Sequence, residues 1–173
     1  MEKQILFQRL QNEVEALVKA VENIPEADFF QQPHAEKWSI GQNVQHLIQA
    51  SKPLVKLFGQ PSLMEQWGKS PHPTRTYEEI KTLYDNALSQ PQPLLQSYRH
   101  IDTEGSKEEL LETLKSVTAK LIERAAMLSE TDLDTYQMPH PLKFMLTAGE
   151  FLHFTAYHTR HHHDIVSKIV VNK

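Results

Sequence analysis

The chain contains no cysteine in 173 residues, which removes disulfides, thiolate metal sites and a cysteine nucleophile together. Any metal must therefore be held by His, Asp or Glu. Glycine is scarce at five residues. No Gly-rich phosphate loop precedes a helix, and no G-x-S-x-G elbow occurs. There is no run of 18 apolar residues, and Met1 to Ile5 lack a charged segment leading into an apolar one, so the expectation is a soluble, cytoplasmic protein without a membrane partner. Blocks of one charge sign are missing as well. The 18 basic and 22 acidic residues are interspersed, with a net charge of −4, which argues against nucleic acid and anionic membrane as partners.

What remains is a helical pattern over a length that suits one domain spanning residues 1–173 and able to bury a core without a metal to hold it together. A metal, if bound, is then functional rather than structural. Four capping boxes, each a Ser or Thr followed three residues later by Glu or Gln, mark helix starts: Ser39 with Gln42, Thr76 with Glu79, Ser106 with Glu109, and Thr147 with Glu150.

The first helix is expected from Glu2 to Ile24, with Ile5, Leu6, Leu10, Val14, Leu17, Val18 and Val21 on one stripe. The second runs from Ser39 to about Phe58, with Pro53 kinking or shortening it. A third spans Thr76 to Tyr98, with a break near Pro91 and Pro93. A fourth covers Ser106 to Leu128, and the last runs from Thr147 to about Val170. The segment from Gly59 to Pro73 reads as a long ordered loop or lid where specificity could be set. An all-α bundle is the economical architecture.

The chemistry concentrates in the last helix. His158 and His162 are four residues apart and project from one face, about 40° apart, on the stripe that carries Phe151, Phe154, Ile165 and Ile169. His46 sits beside apolar Leu47 and Ile48 on the second helix. Two facing helices can thus supply three neutral imidazoles with a position left open, an arrangement suited to catalytic zinc and also to nickel, copper or iron. The same residues also fit a bland role, as polar groups on a surface or at an exposed helix end.

His161, about 60° off that face, is a candidate for the rim of the site, as a proton shuttle or hydrogen-bond donor. Glu150 is a second rim candidate, as a general base, although the capping box with Thr147 competes for it. His153 and His163, about 140° to either side of His158, are expected in solvent. His34, His72, His100 and His140 fall in loops or at helix ends and carry no assignment.

Two segments carry a family resemblance: Lys37-Trp38-Ser39-Ile40-Gly41-Gln42-Asn43-Val44-Gln45-His46-Leu47, of the form W-S-x-x-x-x-x-x-H-L, and Thr147-Ala148-Gly149-Glu150-Phe151-Leu152 leading into His158-Thr159-Arg160-His161-His162. In this order and separation they resemble the DinB-like, or YfiT-like, family. The resemblance implies an up-down-down-up four-helix bundle with an extra helix or loop insertion between bundle helices two and three. It also implies a homodimer and a divalent ion, zinc or nickel, on His46, His158 and His162.

The activity it implies is transfer of a low-molecular-weight thiol to a small electrophilic substrate. A hydrolase using metal-activated water is an alternative, and a non-catalytic ligand-binding or stress-associated dimer is another. One departure stands out: many relatives carry Gln in a G-Q-I-like ending, whereas His163-Asp164-Ile165 stands here, which puts any role of that Gln in doubt.

Overall fold

The computed structural model describes residues 3–90 and 101–171. Four long helices, α1 (Lys3–Val21), α3 (Ile40–Gly59), α5 (Lys107–Met127) and α7 (Ala148–Val171), form the bundle. Between them lie the short α2 (Glu26–Phe30), α4 (Tyr77–Leu88) against α7, α6 (Glu130–Thr135), and a hairpin of β1 (Gln137–Pro139) and β2 (Met145–Thr147). The two strands pair antiparallel, with Met138 opposite Leu146. Each bundle helix has two strong neighbours, in the order α1, α7, α3, α5 and back to α1.

Side-chain contacts fix the helix directions. Lys3 donates to the carbonyl of Leu128, and Lys107 donates to the carbonyls of Glu22 and Ile24, each at 2.8 Å. The start of each helix thus meets the end of the other, so α1 and α5 are antiparallel. Gln42 donates to the carbonyl of Ile101 at 3.0 Å, just before α5 begins, and Gly59 at the end of α3 lies against Arg124 near the end of α5. These two helices are therefore parallel. His46 faces His158 and Asn43 faces His162, which sets α7 antiparallel to α3. The topology is up-down-down-up, as the resemblance implies.

All four expected capping boxes form. A fifth, Ser129 with Asp132, starts α6; the Glu/Gln pattern overlooks it because aspartate closes the box. The core is continuous: Leu10, Leu17, Val21, Ile48, Phe58, Leu114 and Leu121 are all buried within it.

Several expectations need correction. Ile5 is 56% exposed, so the α1 stripe begins at Leu6. Pro53 does not shorten α3, which runs through it to Gly59; Pro53 and Gln49 both face solvent, where a carbonyl without its helical donor costs least. The helix after Thr76 ends at Leu88, and the break expected near Pro91 and Pro93 lies outside the described residues. Short elements α2, α6 and the hairpin were not foreseen, since their periodic runs are too short to register.

The segment from Gly59 to Pro73 is ordered by two 3-10 turns around buried Met64. Its hydrogen bonds run to α6 and the hairpin. Ser70 donates to the carbonyl of Thr135 at 2.9 Å, Gln137 donates to the carbonyls of Trp67 and Lys69, and Lys69 bridges Tyr136. These bonds anchor the segment to the hairpin, which leads into α7 and ends about three helical turns before His158.

Candidate metal centre

The antiparallel packing of α3 on α7 turns sequence spacing into a site. Nε2 of His158 lies 3.1 Å from Nε2 of His46 and 3.1 Å from Nε2 of His162, and one nitrogen from each ring falls within 4.8 Å of the other two. Two nitrogens on one tetrahedral zinc, each at about 2.0–2.1 Å, stand about 3.4 Å apart. The observed spacing therefore fits a shared ion with little movement. His158 and His162 are buried and His46 is partly exposed.

Protonation favours the same use. Burial pushes the His46 imidazole down to about 4, with the nearby His161 adding to the effect. Burial, reinforced by the neighbouring imidazoles, holds His158 and His162 well below the ordinary histidine range. All three are neutral at pH 7, as ligands must be. Among the described residues the donor set is three uncharged imidazoles without a carboxylate, which suits zinc and other borderline divalent ions over magnesium or calcium.

Aromatic rings frame the cluster. Trp38, immediately before the N-cap of α3, stacks on His162 with centroids 6.0 Å apart and planes at 14°, and lies 5.0 Å from His46. Phe154 stacks on His158 at 5.1 Å. Tyr84, on α4, presents its ring at 6.0 Å from His158 and 5.8 Å from His161. Asn43, 1% exposed, places Oδ1 2.7 Å from Nδ1 of His162.

The other histidines divide. His161 is partly buried, with its ring 5.3 Å from that of His162, which places it beside the cluster. Glu150 is engaged elsewhere, against its expected place at the rim. Fully buried, its carboxylate accepts from Nε, Nη2 and the backbone N–H of Arg75 at 2.8–2.9 Å and from the Thr147 N–H at 2.8 Å. Burial pushes this carboxyl up, but the Arg75 and backbone donors outweigh it and leave it below the usual range.

The solvent expectation for His153 and His163 does not hold: both are half-buried, and Nδ1 of each is enclosed without a hydrogen-bond partner among the described residues. α7 is packed by α1, α3, α4 and α6, so faces that would be wet on a two-neighbour helix are covered. His140 is buried among Phe144, Phe151 and Phe154, while His34 and His72 stay at the surface. His100 lies outside the described residues.

Sequence reasoning gave no role to Asn43, Trp38 or Tyr84. For Asn43 a signal existed: it falls four residues after the N-cap Ser39 and three before His46, a polar residue among the buried apolar Ile40, Val44 and Leu47. Tyr84 had none, since nothing local to α4 reveals that it packs on α7.

Fold and cluster together define a class: a helical bundle that presents a convergent set of histidine ligands between two of its helices. The chain belongs to the DinB superfamily, whose pattern matches residues 9–166. Among solved structures it is similar to YfiT from Bacillus subtilis, described as a probable metal-dependent hydrolase with an unusual four-helix bundle topology. The two share 18% identity at a TM-score of 0.63, over 99% of this chain and 87% of that one. No curated protein matches.

Proposed function

We propose that this chain is a metal-dependent enzyme in which His46, His158 and His162 hold one divalent ion, zinc or nickel, and that it transfers a low-molecular-weight thiol to a small electrophile. The convergence of three neutral imidazole nitrogens carries the reading. A divalent ion at this point supplies Lewis acidity, which brings a thiol or a water to its nucleophilic form near neutral pH.

The chain's own residues account for the rest. The imidazoles stay uncharged, Trp38 and Phe154 stack on His162 and His158 and limit their rotation, and His161 beside the cluster is our candidate to move a proton. The aromatic wall suits an organic electrophile better than a strongly hydrated one. Choice of a thiol rests on the resemblance of the two histidine segments, and we take the homodimer from the same source.

Hydrolysis by an activated water is the second reading. What favours it is the similarity to YfiT, described as a probable metal-dependent hydrolase. The two separate in one assay: zinc- or nickel-loaded protein is mixed with a panel of alkyl and aryl electrophiles and activated esters, with and without a low-molecular-weight thiol. Turnover that requires the thiol supports transfer. Turnover of the esters at the same rate without it sinks the transferase reading in favour of the hydrolase.

A further inference from the structure

We propose that Asn43 is a positioning residue that fixes His162 as its Nδ1–H tautomer, so that Nε2 presents a bare lone pair to the centre of the cluster. This rests on the metal reading above and deepens it. The argument starts at the helix cap. Ser39 is the N-cap of α3 and is locked by its capping box with Gln42. Its carbonyl accepts from the Asn43 backbone N–H at 3.1 Å and from Asn43 Nδ2 at 2.8 Å.

A carbonyl oxygen only accepts, so the amide atom facing Ser39 must be the nitrogen. Oδ1 is thereby left facing His162 Nδ1 at 2.7 Å. Oδ1 also only accepts, so Nδ1 must carry the hydrogen. A neutral imidazole has one N–H, hence Nε2 of His162 is unprotonated.

The consequence is specific. In water a neutral histidine favours the proton on Nε2, which here would aim an N–H at the very point where three nitrogens converge. Asn43 reverses that preference, and Trp38 stacked on the same ring opposes its rotation. The first turn of α3 thus presets a ligand on α7, and the hydrogen bond to the outer nitrogen is the kind that orients metal-bound histidines and tunes their basicity.

The test uses the full chain. In metal-free, ¹⁵N-labelled protein at pH 7.5, long-range ¹H–¹⁵N correlations of the His162 ring report the tautomer directly. Zinc affinity is measured separately by competition with a chromophoric chelator. Wild type should show protonated Nδ1 and bare Nε2. Asn43→Leu, which keeps the branched side-chain shape but loses the acceptor, should move the proton toward Nε2 and weaken zinc binding by about 10- to 100-fold.

Asn43→Asp, which restores an acceptor, should bind zinc within about threefold of wild type or tighter. A wild-type ring protonated on Nε2 overturns the proposal, as does Asn43→Leu holding zinc as tightly as wild type. If Asn43→Leu does not fold, the wild-type spectrum and the Asn43→Asp affinity decide. If wild type takes up no zinc, the metal reading fails and the tautomer result alone decides this one.

Discussion

His46 and His158 are 112 positions apart in the chain, yet their Nε2 atoms face each other across 3.1 Å. Neutral imidazoles this close, with His162 at the same distance from His158, bring three ring nitrogens to one point. A divalent cation relieves that arrangement, whereas protonation is opposed by burial. Zinc added to metal-free protein should therefore raise the unfolding temperature, by the equivalent of about 2.7 kcal/mol at 100 times Kd. The shift should be absent in His46→Ala, and a thermal scan with and without zinc reads it.

Glu150 and Arg75 form the second polar feature of the interior, and the account gives them a structural task. The carboxylate is fully buried and accepts from Arg75 and the Thr147 N–H, while Arg75 also donates to the carbonyl of Met145 at 3.0 Å. Loop, hairpin and α7 are joined there. Arg75→Leu removes the buried carboxylate's cation and its two side-chain donors, leaving the two backbone N–H groups, and should cost about 3 kcal/mol in urea unfolding. Pairing it with Glu150→Gln should recover part of the loss, and metal content should stay at the wild-type level in both. A loss of metal in Arg75→Leu at full folding would instead return Glu150 to the site.

Gly41 tests the packing that leads into the site. A Cβ there would meet Phe30 at 2.8 and 2.9 Å and Phe29 at 3.0 Å, so α2 sits on the first turn of α3. By helix propensity Gly41→Ala should gain up to about 1 kcal/mol. The clash predicts the reverse, a net loss of about 1–3 kcal/mol by denaturant unfolding.

His140, outside the three-histidine set, gives a pH dependence of its own. Its Nδ1 accepts from the Leu142 N–H at 3.1 Å, and burial among phenylalanines lowers its pKa from 6.5 to about 4. A histidine whose folded pKa is depressed binds its proton more readily when unfolded, so stability falls as pH drops below about 6.5 and levels off near 4. The penalty for this one group reaches about 3 kcal/mol. In His140→Phe the slope of stability against pH between 6.5 and 4.5 should be shallower, even though the lost turn hydrogen bond lowers stability at every pH. An unchanged slope would show that His140 does not titrate in this way.

Long periodic segments with strong caps were readable in advance. Ser39, Thr76, Ser106 and Thr147 each begin a helix where a capping box places it, because a cap is a local hydrogen-bond problem solved within four residues. The topology came from resemblance, since helix directions depend on contacts such as Lys3 with Leu128 that no local pattern encodes.

Proximity of His46, His158 and His162 was legible as a possibility from the inward stripe of α7. The elements that frame them were less so. Burial of His153 and His163 follows from how many helices pack on α7, and the use of Glu150 follows from Arg75, 75 positions away. The role of Asn43 needs the α3–α7 contact to be known before the amide has anything to orient.

The most direct measurement is metal content of untagged, purified protein by mass spectrometry, beside chelator-treated protein and a His158→Ala variant. The account predicts about one divalent ion per chain, removed by the chelator, restored by zinc or nickel, and missing in folded His158→Ala. Wild-type protein that is metal-free and refuses both ions, or a His158→Ala protein that holds metal as tightly as wild type, would contradict it.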